Sequence, residues 1–220
     1  MNDLVIFGAG GVGRQVAQIV SDINSVHVEW NIIGYLDDDE TRLGDTVADI
    51  PVLGNLEWLS AHRDVYVAVA IAAPSIVAKT YYRLATMQHQ NISTLIHPSV
   101  WLPQRAEIDK GVIVYGGVIL DPDITIGKGC MINKGCTIGH DAILENFTSL
   151  APGVNLGGAV HIGCGCYFGI SSATIQGVSV GMWSVVGAGA VVIENLPPNV
   201  IAVGVPAKTI KTREEGWYLL

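Results

Sequence analysis

The stretch TIGKGCMINKGCTIGHDAIL, residues 125–144, repeats itself every six positions. Ile126, Ile132, Ile138 and Leu144 mark the beat, and the small residues Cys130, Cys136 and Ala142 fall two places ahead of it. A helix repeats every ~3.6 residues and a strand every ~2, so neither can keep this period alone. Carried outward, the frame runs from Leu102 to Val192 through sixteen beats, of which fifteen are bulky and apolar and Thr174 is the exception. The second register stays small or β-branched, as at Val112, Val118, Val154, Val160, Cys166, Ser172 and Ala190. Glycine often follows the beat, at Gly127, Gly139, Gly157, Gly163, Gly169, Gly181 and Gly187, where the frame predicts tight corners that need a permissive backbone. Two inward positions per hexad predict a solenoid of short parallel strands, with eighteen residues to a triangular coil and about five coils.

The chain ahead of His97 and Pro98 follows a different pattern. LVIF leads into GAGGVG, residues 8–13, and Val12, Val16, Ile19, Val20 and Ile23 then recur at helical spacing. IIGYL predicts a second strand ending at Asp37, Asp38 and Asp39; VYVAVAIAAP, residues 65–74, predicts a third, and KTYYRLATM a second helix. The expected architecture is an α/β Rossmann-like half-domain over residues 1–96, followed by a hexapeptide-repeat β-helix over residues 97–220. The glycine loop and the acidic run match a dinucleotide fingerprint. However, about 95 residues supply only one mononucleotide-binding half, which argues against NAD and suits the nucleotide of a nucleotide sugar. Gly8, Gly10 and Gly11 would permit close backbone approach, and an aspartate would accept hydrogen bonds from base or ribose; the alternative for the acidic run is a solvated turn.

The net charge of −8, with no run of Lys or Arg, argues against a nucleic-acid partner. No apolar stretch approaches bilayer length and no secretory pattern opens the chain, which predicts a cytoplasmic protein without membrane insertion. Cys130, Cys136, Cys164 and Cys166 lack zinc spacing; three share the small inward register and are expected to be packing residues, with no metal site. His27, His62, His89 and His161 are expected at the surface, and His97 at the domain junction in a structural role.

His140 follows Ile138 and Gly139, so the frame turns it outward at a corner, where nothing in the repeat calls for imidazole. Its bland alternative is a solvated surface histidine.

The hexads, together with GAGGVG, IHPS at residues 96–99, IN before GHD and the terminal GVPAK, resemble the hexapeptide-repeat sugar O- and N-acyltransferases of the left-handed β-helix type. The nucleotide-aminosugar N-acetyltransferases of polysaccharide biosynthesis are the nearest likeness. The resemblance implies a left-handed coil and a homotrimer with active sites between adjacent solenoids. It also implies acetyl transfer from acetyl-CoA to the amine of a nucleotide-linked 4-amino-4,6-dideoxysugar. An amine attacking a thioester must lose a proton, and a group titrating near neutrality suits that task. The resemblance makes His140 the base in a direct transfer, with Asp141 orienting its ring and the Gly158 N–H receiving the oxyanion. Gly158, one coil beyond His140, has a plain corner glycine as its alternative. Asn133 would lie near the acceptor or thioester, or alternatively occupy a left-handed turn. Asp37 and Asp38 would hold the nucleotide. Ile170, Ser171, Gly187, Ala188, Gly204 and Pro206 would wall the CoA groove, with Lys208 meeting a CoA phosphate or remaining solvated. Val12 and Ser149 stand where many relatives have histidine. An O-acetyltransferase acting on a sugar or sialic acid would use the same residues, a non-catalytic nucleotide-sensing or assembly protein would need none of the chemistry, and an NAD-dependent oxidoreductase is a weaker third.

Overall fold

The computed structural model describes residues 1–216, so the last four residues of the second predicted domain lie outside the described ones. Strands β1 (Asn2–Phe7), β2 (Trp30–Leu36), β3 (Thr46–Val47), β4 (Ile50–Gly54) and β5 (Tyr66–Val69) form one sheet in the order β3-β4-β2-β1-β5, parallel except for the β3–β4 hairpin. Helix α1 (Gly11–Val26) presents Val16, Ile19 and Val20 on its buried side, as the spacing predicts. Helix α2 (Pro74–Thr86) begins five residues ahead of the predicted KTYYRLATM, and β5 is shorter than the apolar run that announces it. The reason is Pro74, whose fixed φ and missing N–H suit the first turn of a helix rather than the end of a strand.

From Leu95 the chain coils around a triangular prism. Its first face stacks Leu95–Ile96, Ile113–Val114, Met131–Ile132, Ser149–Leu150, Tyr167–Phe168, Val185–Val186 and Val200–Val203, closed by the antiparallel strand Lys208–Thr212. The second face stacks the two-residue strands from Ile119 to Val192, and the third those from Glu107 to Val180. The pairing register is eighteen residues as far as Val192, as in Thr137↔Asn155 and Ile143↔His161, and shortens to sixteen in the last rung, Val185↔Ile201. Leu95–Ile96 pairs with Ile113–Val114, so the first coil begins inside the stretch assigned to the N-terminal unit. Beats from Val114 to Val192 are buried in one continuous core. Leu102 departs from the frame: it is exposed, because no coil lies beneath it to cover it.

Both registers of the repeat are therefore inward. Cys130, Cys136 and Cys166 are buried free thiols that donate to carbonyls fifteen residues ahead, at 3.2 Å each. Burial pushes them up to about 12, 11 and 12 respectively, which removes thiolate reactivity near neutrality. His89, expected at the surface, is buried behind α2, where desolvation pushes its imidazole below its ordinary value.

The two units are packed together. Helix α1 lies between its own sheet and the first face, with Val16, Ile19 and Val20 in one cluster with Leu95, Ile113, Tyr115 and Met131. On the other side of the sheet, α2 inserts Tyr81 into the space that Gly111 and Gly129 leave open: a Cβ at either corner would meet the Tyr81 side chain. Among the described residues no helix is long and apolar enough to cross a membrane.

Candidate active site

Corners of the prism form three edges, and two of them carry the predicted site. Edge 2/3 stacks His140 beneath Gly158 and Gln176. Edge 1/2 stacks Asn133, Ala151, Gly169 and Gly187, with Ser171 and Ala188 beside them. Each corner places the third residue after the beat in the left-handed region, where Gly135, Gly153 and Gly177 alternate with Asp123, Asp141, Ala159 and Ser171.

The corner glycines that directly follow the beat have ordinary φ, contrary to the turn role the repeat suggests; all but Gly187, which faces the Val203 side chain, are glycine because the next coil's backbone leaves no room. A Cβ on Gly139 would lie 2.5 Å from the Gly158 nitrogen, and one on Gly157 or Gly169 equally close to the nitrogen of Gln176 or Ala188. Asn133 likewise has no positive φ, so the left-handed-turn alternative fails; Gly135 takes that conformation. The Asn133 side chain is half-buried and accepts from the Lys134 N–H at 2.9 Å.

Asp141, with φ +58°, is the left-handed residue of its corner, a conformation that a short polar side chain tolerates. Its Oδ2 lies 2.7 Å from Nδ1 of His140. A carboxylate only accepts, so Nδ1 carries the proton, and in the neutral ring Nε2 keeps a free lone pair. The bond to Asp141 holds the imidazole above its ordinary value; desolvation opposes this, and the Asp141 and Asp121 charges add to it. Both side chains are largely exposed, at 66% and 62%. The ring packs against Gly158: a Cβ built there would lie 2.7 Å from Nε2, 2.8 Å from Cε1 and 3.0 Å from Cδ2, over the face of the imidazole. Gly158 is therefore more than a corner glycine, since any side chain would occupy the place of the ring.

Ile170 is exposed, and Ser171 sits in a left-handed corner, one coil below Ala188 and Gly189 on edge 1/2. Gly204, with φ +98°, ends the strand above them and its carbonyl accepts from Val191. Pro206 follows in a cis peptide. Lys208 pairs with Glu194 at 3.6 Å. The chain thus gathers Asn133 and most of the predicted CoA wall on one edge and His140 with Gly158 on another, separated by the second face.

In the N-terminal unit, the adjacent aspartates diverge. Asp37 Oδ2 accepts from the Ala9 N–H at 2.8 Å, tying the end of β2 to the glycine loop, and Arg42 lies 3.3 Å away. Asp38 turns to Arg83 of α2, which also binds Glu57. Burial pushes the Asp38 carboxyl up, but the Arg83 guanidinium outweighs this and holds it below the ordinary carboxylate range. Gly8 and Gly13 are crowded by backbone, a Cβ at Gly13 meeting the Gly8 carbonyl, whereas Gly10 and Gly11 face open space. Gly13 is a requirement that sequence reasoning misses. It also misses Trp58, which stacks on His62 with centroids 3.4 Å apart and helps line a cavity of about 420 Å³ with Asp37, Leu43, Gly54 and Asn55. A tryptophan after a short strand carries no pattern that would mark it. Among the described residues no cluster of three or more metal-ligating side chains occurs.

The fold is a left-handed β-helix of hexapeptide repeats behind a Rossmann-like unit, the architecture of solved acetyltransferase structures. Residues 3–84 match the family model of the PglD N-terminal domain. The acetyltransferase domain of PglB from Neisseria gonorrhoeae, in complex with acetyl coenzyme A, is 27% identical, with a TM-score of 0.87 over 96% of this chain and 100% of that one. A mutant of perosamine N-acetyltransferase from Caulobacter crescentus, in complex with CoA and GDP-perosamine, is 28% identical, with a TM-score of 0.82 over 96% and 98%. A serine acetyltransferase of Buchnera aphidicola is 36% identical over 140 residues, 59% of this chain. The chain spans 33% to 46% of the length of such curated relatives.

Proposed function

We propose that the protein transfers acetyl from acetyl-CoA to the amine of a nucleotide-linked 4-amino-4,6-dideoxysugar, with His140 as general base. One observation carries this reading: Asp141 holds the His140 ring from behind through Nδ1, which leaves Nε2 as the acceptor of the neutral ring, and that ring packs against Gly158 of the next coil.

Nε2 takes the proton from the attacking amine as the C–N bond forms. The thioester oxygen becomes an oxyanion, for which the Gly158 N–H is the donor, a contribution worth about 3 kcal/mol at comparable sites. Collapse breaks the C–S bond, and the imidazolium returns its proton to the departing thiolate. Asp141 stabilises the charged ring throughout.

A trimer would complete this site. The second face carries outward Trp101 and Ile119, both about half exposed. If that face of every chain turned to a threefold axis, edge 2/3 of one chain would meet edge 1/2 of the next. His140 and Gly158 would then face the partner's Asn133, Ile170, Ser171, Gly187, Ala188, Gly204 and Pro206 across one groove. Lys208 would leave Glu194 for a phosphate of CoA.

The nucleotide would lie over the ends of β1, β2 and β4. The N-terminus of α1 has no side-chain cap, so no side chain competes with a diphosphate for its first N–H groups, and Gly10 and Gly11 give it room. Asp37 and the Trp58 cavity would receive ribose and base, and the relative's complex with GDP-perosamine supports that class of acceptor. Incubation with acetyl-CoA and UDP-, GDP- and dTDP-linked amino sugars, beside their hydroxyl counterparts, tests the reading through thiol release. Release with none of them overturns it, as does sedimentation as a monomer at assay concentration.

A further inference from the structure

The IHPS motif places its histidine at a position the proposed chemistry does not use. His97 lies at the end of Leu95–Ile96, in the same eighteen-residue column as Tyr115 and Asn133 on edge 1/2. Its Nε2 is 3.0 Å from Oδ2 of Asp22 in α1, and its Nδ1 accepts from the Ser99 N–H at 3.0 Å. Nδ1 is thereby an acceptor, so Nε2 carries the proton and donates to Asp22. The Ser99 hydroxyl, 2.8 Å from Nδ1, accepts from the Gly117 N–H of the coil above. Gly116 leaves the ring its place, since a Cβ there would lie 3.2 Å from it.

Around this relay the contact of α1 with the first face is apolar: Val16, Ile19 and Val20 against Leu95, Ile113 and Met131. Apolar burial is strong but non-directional, so it holds the helix on the face without fixing its angle. A hydrogen bond between a ring fixed on both sides and a carboxylate in the fourth turn of the helix supplies the direction. Asp22 stands eleven residues, or ~16 Å along the axis, from Gly11 at the nucleotide end. A small swing at Asp22 therefore displaces the glycine loop. Asn133 lies two coils above His97, ~10 Å up the same edge.

We propose that His97 is a positioning residue: through Asp22 it sets the angle of α1, and so places the nucleotide-binding loop relative to the edge that carries the acetyl donor. This rests on the acetyltransfer reading, and deepens it by naming what couples acceptor placement to the solenoid. His97→Ala and Asp22→Ala should each raise KM for the nucleotide amino sugar about tenfold while KM for acetyl-CoA stays within twofold. The double variant should be no worse than either single one, as expected for one shared interaction. Asp22→Asn, which still accepts from Nε2, should restore acceptor KM to within twofold of the parent. Hydrogen exchange of residues 11–26 in the trimer gives a readout that needs no turnover: exchange should quicken in both alanine variants and not in Asp22→Asn. An inactive parent enzyme overturns the acetyltransfer reading and leaves the clamp to the exchange measurement. Unchanged exchange of α1 in His97→Ala overturns the clamp, as does an active parent whose acceptor KM is indifferent to both alanine variants.

Discussion

The solenoid and the N-terminal unit use the same residue types under different constraints. In the solenoid every position has counterparts eighteen residues away, so a residue that breaks the pattern is visible against its own column. His140 and Asn133 are such breaks. The N-terminal sheet has no repeat to serve as a standard. Asp37 and Asp38 are neighbours in the sequence, yet one ties the glycine loop to β2 and the other anchors α2. Repetition thus separates function from packing within the amino-acid sequence itself, and its absence hides the distinction.

The comparison is tested hardest at His140. Replacement by Ala should cut kcat about a thousandfold, in line with general-base loss, while the circular dichroism spectrum and the oligomer size stay unchanged. A drop of less than tenfold would make His140 an ordinary surface residue and remove the reason for reading departures from the repeat as functional.

Two glycines separate the meanings of a missing side chain. Gly158→Ala sets a methyl 2.7 Å from a movable imidazole, so the ring should swing away and kcat should fall about a hundredfold with the melting temperature nearly unchanged. Gly139→Ala sets its methyl 2.5 Å from the Gly158 backbone nitrogen, which cannot yield without separating two coils. That substitution should cost about 1–3 kcal/mol of stability, measured by denaturant unfolding. Equal effects on melting would show that both glycines serve stacking alone.

Asp141→Asn sharpens the pair further. The carboxylate holds the imidazole above its ordinary value, and the active form is the unprotonated ring. Activity is therefore lost as pH falls through that raised value. Removing the carboxylate lowers it, so the acid limb of kcat/KM should move to lower pH, with a plateau about tenfold below the parent. A limb that does not move would assign it to another group.

How much is legible in the sequence follows from which physical constraint wrote each residue. Core positions from Val114 to Val192 are apolar or small on both registers, with Thr148, Ser172, Thr174 and Ser184 as buried polar members, and the period of six declares it. The outward corner of His140 follows from the same frame. What the frame does not supply is the spacing between coils, which is a three-dimensional quantity. Hence Gly139 and Gly157 look like turn glycines in the sequence, although φ is ordinary there and crowding is the cause. Hence also the left-handed state of Asp141 has no sequence signal, although it is what turns the carboxylate back to the ring. In the N-terminal unit, strand and helix periods place β1, α1 and β2, but the partners of Asp37 and Asp38 come from residues 28 and 45 positions away. No local pattern records such pairings.

The smallest predicted effect falls on the two aspartates. Asp37→Ala removes the acceptor for the Ala9 N–H and a carboxylate that lines the Trp58 cavity, so KM for the nucleotide sugar should rise about tenfold. Asp38→Ala leaves the glycine loop intact and frees Arg83, which still has Glu57. Because that pair is substantially exposed, with 33% and 47% of the two side chains accessible, its loss should cost at most about 1 kcal/mol. The acceptor KM of this variant should stay within twofold of the parent, read beside a melting curve. If KM rises in Asp38→Ala as it does in Asp37→Ala, the carboxylate leaves Arg83 for the nucleotide on binding, and adjacent residues that look divided in the free chain share one ligand.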